Sequence, residues 1–150
     1  MIHRIGLLSV MICPFLGAGL SVGIAAPPQI PALGWEERSD WINVKTDVTP
    51  AAIGDGQADD TAAIQKALDR VRDGSILYFP PGTYRITTPL VLKNPAGGRW
   101  IGGLIVGHGR QTKWVWDGAE GGAMLRIDGV AYSRFVGLAL DGRGKASVGS

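Results

Sequence analysis

The chain has 150 residues, enough for one domain, with 23 glycines, 9 prolines and one cysteine. Its 15 basic and 13 acidic side chains are interspersed and close to balance, so the charge leaves no footprint for nucleic acid. The cysteine, Cys13, stands near the N-terminus, which excludes a disulfide framework, a zinc–thiolate cluster and a cysteine nucleophile from the remainder.

His3 and Arg4 make a weakly basic start, Ile5 to Ile24 is almost wholly apolar, and the small Ala25 and Ala26 precede Pro27 and Pro28. That order of regions predicts a signal peptide over residues 1–25, cleaved after Ala25. It implies a secreted or periplasmic protein with no membrane association once the leader is removed. The apolar stretch is also long enough for an anchor, but Pro14, Gly6, Gly17, Gly19 and Gly23 make it a poor spanning helix. Residues 26–40 read as a proline-rich tail, and residues 41–150 as the folded part.

Within the folded part, Trp41 to Thr46 is a short strand candidate and Val48 to Gly56 a turn by composition. Asp59 to Arg72 predicts one amphipathic helix, because Ile64, Ala67, Leu68 and Val71 fall on a single stripe. Asp59 or Asp60 can accept from the free N–H groups of its first turn, and Gly74 stops it. The period then changes to two. Ser75 to Phe79, Thr83 to Thr87, Leu90 to Lys93, Leu104 to Val106, Thr112 to Trp116, Ala123 to Asp128 and Phe135 to Leu140 are predicted strands. Many short strands without interleaved helices fit either a sandwich or a solenoid; Leu125-Arg126-Ile127-Asp128-Gly129 and Leu138-Ala139-Leu140-Asp141-Gly142 repeat one unit, which suggests the coils of a solenoid.

The run Gly54-Asp55-Gly56-Gln57-Ala58-Asp59-Asp60-Thr61, followed by Leu77-Tyr78-Phe79-Pro80-Pro81-Gly82-Thr83-Tyr84, resembles the opening of the pectate-lyase-like superfamily. Gly107-His108-Gly109-Arg110-Gln111-Thr112 is similar to the next coil of that group. The resemblance implies an all-β, right-handed parallel β-helix whose N-terminal coils are capped by the one α-helix. Val48 to Ile53 departs from the group, where many relatives carry an aromatic-Gly-Ala run.

Catalytic residues do not emerge from the sequence. Asp55, Asp59 and Asp60 lack the alternating ligands and distal Glu of a calcium loop, and read instead as turn and helix cap, so no metal site is expected. Gly107-His108-Gly109 lacks the upstream aspartates and the Arg-Ile-Lys that accompany it in the superfamily's polygalacturonases, and reads as a tight turn. Asp117, Asp128 and Asp141 stand before glycine at strand ends, where Asp-Gly is a common turn. His108 is the only histidine after the leader, so no Ser-His-Asp set can form. Trp114 and Trp116 share one face of a strand. Facing outward they would stack on sugar rings as a substrate-binding pair; facing inward they are core.

The resemblance implies the N-terminal scaffold of a secreted carbohydrate-active protein, a polysaccharide lyase or glycoside hydrolase, with polysaccharide as its partner. No cofactor is identifiable, although a lyase of this kind would call for Ca2+ in the complete protein. The alternative is a non-catalytic exported β-helix, a glycan-binding adhesin or a tailspike-like module. The chain runs out in the polar Gly144 to Ser150 without a capping element, so these residues are expected to be inactive alone.

Overall fold

The computed structural model describes residues 37–93, 100–101 and 103–146. They lie within one compact unit, Ala32–Ser150. The predicted leader, most of the proline-rich tail and residues 147–150 lie outside the described residues.

The elements are β1 (Ile42–Asn43), β2 (Asp55–Asp59), α1 (Thr61–Arg70), β3 (Ile76–Tyr78), β4 (Gly82–Ile86), β5 (Leu90–Lys93), β6 (Trp100–Ile101), β7 (Leu104–Trp116), β8 (Leu125–Asp128), β9 (Val130–Ala131) and β10 (Arg134–Asp141). Every strand pairing is parallel. Ile76 stacks on Leu104, Gly82 on Thr112, Leu90 on Leu125 and Trp100 on Val130, a step of about thirty residues per coil. This is a parallel β-helix with a single helix. β3 to β6 form one coil, β7 to β9 the next, and β10 opens a third.

The two sequence repeats fall on different sides of successive coils rather than one above the other. Leu125–Asp128 stacks on β5, whereas Leu138–Asp141 stacks on the second half of β7. The segments predicted as separate strands at Leu104–Val106 and Thr112–Trp116 are one continuous element, whose first half pairs β3 and second half β4. Gly107-His108-Gly109 is therefore a corner inside β7 and not a chain reversal. A Cβ on Gly107 would meet the Gly137 carbonyl oxygen of the next coil at 2.6 Å, and Gly109 has φ +65. Part of the stretch read as a turn is also strand. β2 starts at Asp55 and pairs β4 only at Asp55 and Asp59, with an irregularity between them.

Inward-facing residues superpose as columns. Leu77 and Ile105 stack, as do Tyr84 and Trp114, Ile86 and Trp116, and Leu90 and Leu125, all of them buried. Phe79 meets Tyr84 and Trp114 edge-on, with ring centroids 5.4 and 5.0 Å apart. Burial of each such side chain contributes roughly 1.5–3 kcal/mol.

The helix closes the base of this column. Ile64, Ala67, Leu68 and Val71 are buried in the common core, as the stripe requires. The polar side chains of α1 saturate the lowest backbone edge. Gln65 Nε2 donates to the Val91 carbonyl at 2.9 Å and its Oε1 accepts from the Val91 N–H at 2.8 Å, as a neighbouring strand would. Thr61 Oγ1 accepts from the Thr87 N–H at 2.8 Å. Lys66 Nζ reaches the Thr49 carbonyl at 2.6 Å, and Arg70 the Asp47 carbonyl.

At the helix start the two aspartates divide the work. Asp59 Oδ1 accepts from the Thr61 N–H at 3.0 Å, while Asp60, in the N-cap position, turns back to accept from the N–H of Ile53 at 2.7 Å and of Gly54 at 3.1 Å.

Leu68→Asp is expected to abolish soluble expression, because it places a charge on the buried stripe; a soluble variant melting with the parent would sink the cap assignment. Gln65→Ala leaves both Val91 groups without their partner and should lower the unfolding free energy by about 1–3 kcal/mol, read from urea denaturation.

Candidate functional site

A column of charged side chains runs up the solenoid where β2, β4, β7 and β10 end. In a parallel stack, equivalent positions of successive coils lie about 4.8 Å apart, so like charges repel and alternating ones attract. Opposite signs follow one another here: Asp59, Arg85, Asp117, then Arg143 with Lys145, although in register Arg85 stacks on Val115 and reaches Asp117 two residues beyond it. Asp59 and Arg85 are register partners. Arg85 Nε donates to Asp117 Oδ2 at 2.7 Å. Asp117 Oδ1 faces Lys145 Nζ at 3.4 Å and Arg143 Nη1 at 3.5 Å. Arg143 and Lys145 are about half exposed, while Asp117 is largely covered.

Beside the lowest rung is an open concavity of about 360 Å3, lined by Asp59, Thr61, Gln65, Thr87, Thr88 and Pro89 among others. The Thr61 hydroxyl donates to Asp59 Oδ1 at 2.5 Å and the Thr87 hydroxyl to Oδ2 at 2.7 Å. The concavity therefore presents a pre-oriented carboxylate framed by hydroxyls.

The carboxylates of the column are held ionised. At Asp117, hydrogen bonds from Arg85 and Lys145 hold the carboxyl below its usual range. At Asp59, burial pushes upward, but the Thr61 and Thr87 hydroxyls, the Thr61 N–H and Arg85 together outweigh it and leave the group low. Asp60 moves the other way: burial raises it, and the N–H donors of Ile53, Gly54 and Arg85 only partly offset this. It is interior, and its acceptors are used within the fold. Glycoside hydrolysis needs one carboxyl kept protonated and facing the substrate. The lowered carboxyls of Asp59 and Asp117 suit charge recognition and hydrogen bonding.

A second cluster lies along β1, β3 and β7. Trp41, Tyr78 and His108 stack with ring centroids 5.6 Å apart, and the Tyr78 hydroxyl is 2.8 Å from His108 Nε2. Burial, then Glu37, pushes the Tyr78 phenol up.

Trp114 and Trp116 occupy the interior, 0 and 1 % exposed. Both rings continue the inward columns begun by Tyr84 and Ile86, so the outward, sugar-stacking arrangement is corrected to core. Asp55 accepts from the N–H of Gln57 and Ala58, both at 2.8 Å, the geometry of a turn. Asp141 likewise accepts from the Arg143 N–H at 3.0 Å. Asp128 is exposed at the end of β8. Asp117 alone of the three Asp-Gly aspartates joins the charged column. Arg85, Thr87, Arg143 and Lys145 carried no local signal; they become a site only once the coil register sets Arg85 beside Asp117.

Residues 41–96 match the family described as rhamnogalacturonase A/epimerase, pectate lyase-like. Over those residues the chain is similar to the pectate-lyase-like group, and its parallel coils agree with the β-helix fold of that group. Among solved structures it is similar to ORF18 of Geobacillus virus E2, with a TM-score of 0.56 and 25% identity over 69% of this chain and 21% of that one. It is also similar in fold to the Agl-KA catalytic domain, with a TM-score of 0.52 and 22% identity over 77% of this chain and 20% of that one. The chain thus spans about a fifth of each of these neighbours. No curated protein matches it.

The column also governs acid stability. Asp117 takes up its proton less readily in the fold than in the unfolded chain. Its contribution is complete above the ordinary value of 3.8 and is lost as pH falls through the depressed one. Asp60, with a raised value, acts in the opposite sense and favours the fold at lower pH. Asp117→Asn removes only the first effect, so between roughly pH 6 and pH 2.5 its urea midpoint should fall less than the parent's. Parallel loss in both would show that the column does not matter for acid unfolding.

Proposed function

We propose that this chain is the N-terminal scaffold of an exported carbohydrate-active β-helix, and that its charged column and adjoining concavity contact an acidic polysaccharide. The observation that carries the reading is the column itself: half-exposed Arg143 and Lys145 at one end, and a hydroxyl-framed concavity at the other. Lysine and arginine at that spacing suit the carboxylates of a uronate chain, and threonine hydroxyls suit its ring hydroxyls. The superfamily match over the capped opening supports the same substrate class. The leader sequence at residues 1–25 supports export.

Cleavage, as a lyase or a hydrolase, belongs in this reading to the complete protein. The low Asp59 and Asp117 favour a second reading for the described residues, binding without turnover.

The test is incubation of the chain with polygalacturonate and with a neutral glucan, with calcium and with EDTA. Retention on polygalacturonate without product is expected. Arg143→Gln combined with Lys145→Gln should weaken that retention about tenfold, ~1.4 kcal/mol, with an unchanged urea midpoint. New absorbance from unsaturated uronate would assign a lyase, and its loss in EDTA a calcium requirement; new reducing ends alone would assign a hydrolase. Equal behaviour on both polymers would reject the acidic substrate class.

A further inference from the structure

The concavity beside Asp59 lies at the helix-capped end of the solenoid, between α1 and the turn Thr87 to Pro89 that joins β4 to β5. Its walls come from the end of β2, from α1 and from that turn, all in the cap and the first coil. The next coil packs on the turn through Gly118, where a Cβ would meet the Thr87 carbonyl oxygen at 2.5 Å, and so adds no side chain there.

What these walls offer a ligand follows from counting protons and lone pairs. The Thr61 hydroxyl gives its proton to Asp59 Oδ1 at 2.5 Å and accepts from the Thr87 N–H at 2.8 Å. The Thr87 hydroxyl gives its proton to Asp59 Oδ2 at 2.7 Å. Gln65 Nε2 spends both of its protons, on Asp69 Oδ1 and on the Val91 carbonyl, each at 2.9 Å. Asp59 Oδ2, Thr87 Oγ1 and Gln65 Oε1 each keep an unused lone pair, whereas among the lining side chains only the exposed Thr88 keeps an uncommitted proton. No lysine or arginine lines the concavity. Arg85, the register partner of Asp59, points its donors at Asp117 and at the Gln57 carbonyl, 2.7 and 3.2 Å away. The concavity is therefore anionic and proton-accepting. It matches a group with positive charge and several N–H donors, and it repels a carboxylate. Ala62 and Pro89 add an apolar wall for the C–H face of a sugar ring. At about 360 Å3 the space is near the lower limit of ligand cavities, roughly 300–1,000 Å3, and holds one ring.

We propose that the concavity binds a hexosamine unit through its free ammonium group, which donates to Asp59 Oδ2 and Thr87 Oγ1 while Gln65 Oε1 and the Thr88 hydroxyl meet the ring hydroxyls. This rests on the glycan-binding reading above and narrows it at one end of the column. Carboxylates of the polymer are left to Arg143 and Lys145, and the unit seated at Asp59 carries an unacetylated amine.

The test is titration of the isotope-labelled 150-residue chain with glucosamine, N-acetylglucosamine and glucose at low salt, read from the amide resonances of Thr61, Thr87 and Thr88. Glucosamine is expected to saturate these shifts in the millimolar range, at least about tenfold more tightly than either neutral sugar, and to weaken as salt is added. Thr88→Lys sets an ammonium of the chain itself in the concavity. It should abolish the response with an unchanged urea midpoint, because the Thr88 hydroxyl holds nothing within the described fold. Asp59→Asn should abolish the response too; since Asp59 also supports the helix start, Thr88→Lys decides if that variant unfolds. An equal response to the three sugars, no response to glucosamine, or a response that survives Thr88→Lys would each overturn the proposal. Retention on polygalacturonate is scored separately. Retention without a glucosamine response overturns the hexosamine site alone, and a glucosamine response without retention keeps that site and removes the acidic-polymer reading.

Discussion

The side-chain amide of Gln65 pairs with both backbone groups of Val91, and the lowest coil rests on that substitution of a side chain for a strand. A parallel stack can satisfy every coil from its neighbours except those at its two ends. Here the first coil is built only in part, by β1 and β2, and α1 supplies what is missing. Its apolar stripe closes the core beneath Leu90 and Leu92, while Thr61, Gln65 and Asp60 meet backbone groups that no strand reaches. Helix and coil therefore depend on each other: ten residues of α1 alone would be too short to persist in water, and the coil alone would expose its base.

Stacking has a second consequence for charged residues. Side chains at equivalent positions are forced into columns, and an outward column must be uncharged or alternate in sign. Asp59 and Arg85 are the alternating solution in register, and above them Arg85 stacks on the uncharged Val115 and turns to Asp117, which Arg143 and Lys145 also face. Each carboxylate is stabilised as an anion by what lies beside it, which suits recognition of a charged polymer and works against a protonated catalytic acid. The one carboxyl whose environment favours the neutral form, Asp60, is spent on the approach to the helix.

Much of the architecture was legible in the residues. The helix over Asp59 to Arg72 is observed as Thr61–Arg70, with the predicted stripe buried, because spacing of apolar residues on a helix is a local property. The short strands also followed from period and composition, and the coil class from the resemblance of the Gly54–Thr61 and Leu77–Tyr84 motifs to a known family. The corner at Gly107-His108-Gly109 did not. Gly107 answers to a backbone one coil away, at Gly137, and no local window contains that contact.

The functional strip was less legible, for the same reason. Trp114 and Trp116 alternate identically whether they face sugar or core, and only stacking on Tyr84 and Ile86 turned them inward. Arg85 and Asp117 lie thirty-two positions apart, and their pairing is a matter of coil register. What the sequence by itself determined was the type of each element, since this rests on periodicity and on turn and cap residues, while the class of fold came through the resemblance of its motifs to a known family. What only the tertiary structure decided was which residues meet between coils, because the rise from one coil to the next is set by backbone pairing across about thirty residues of chain.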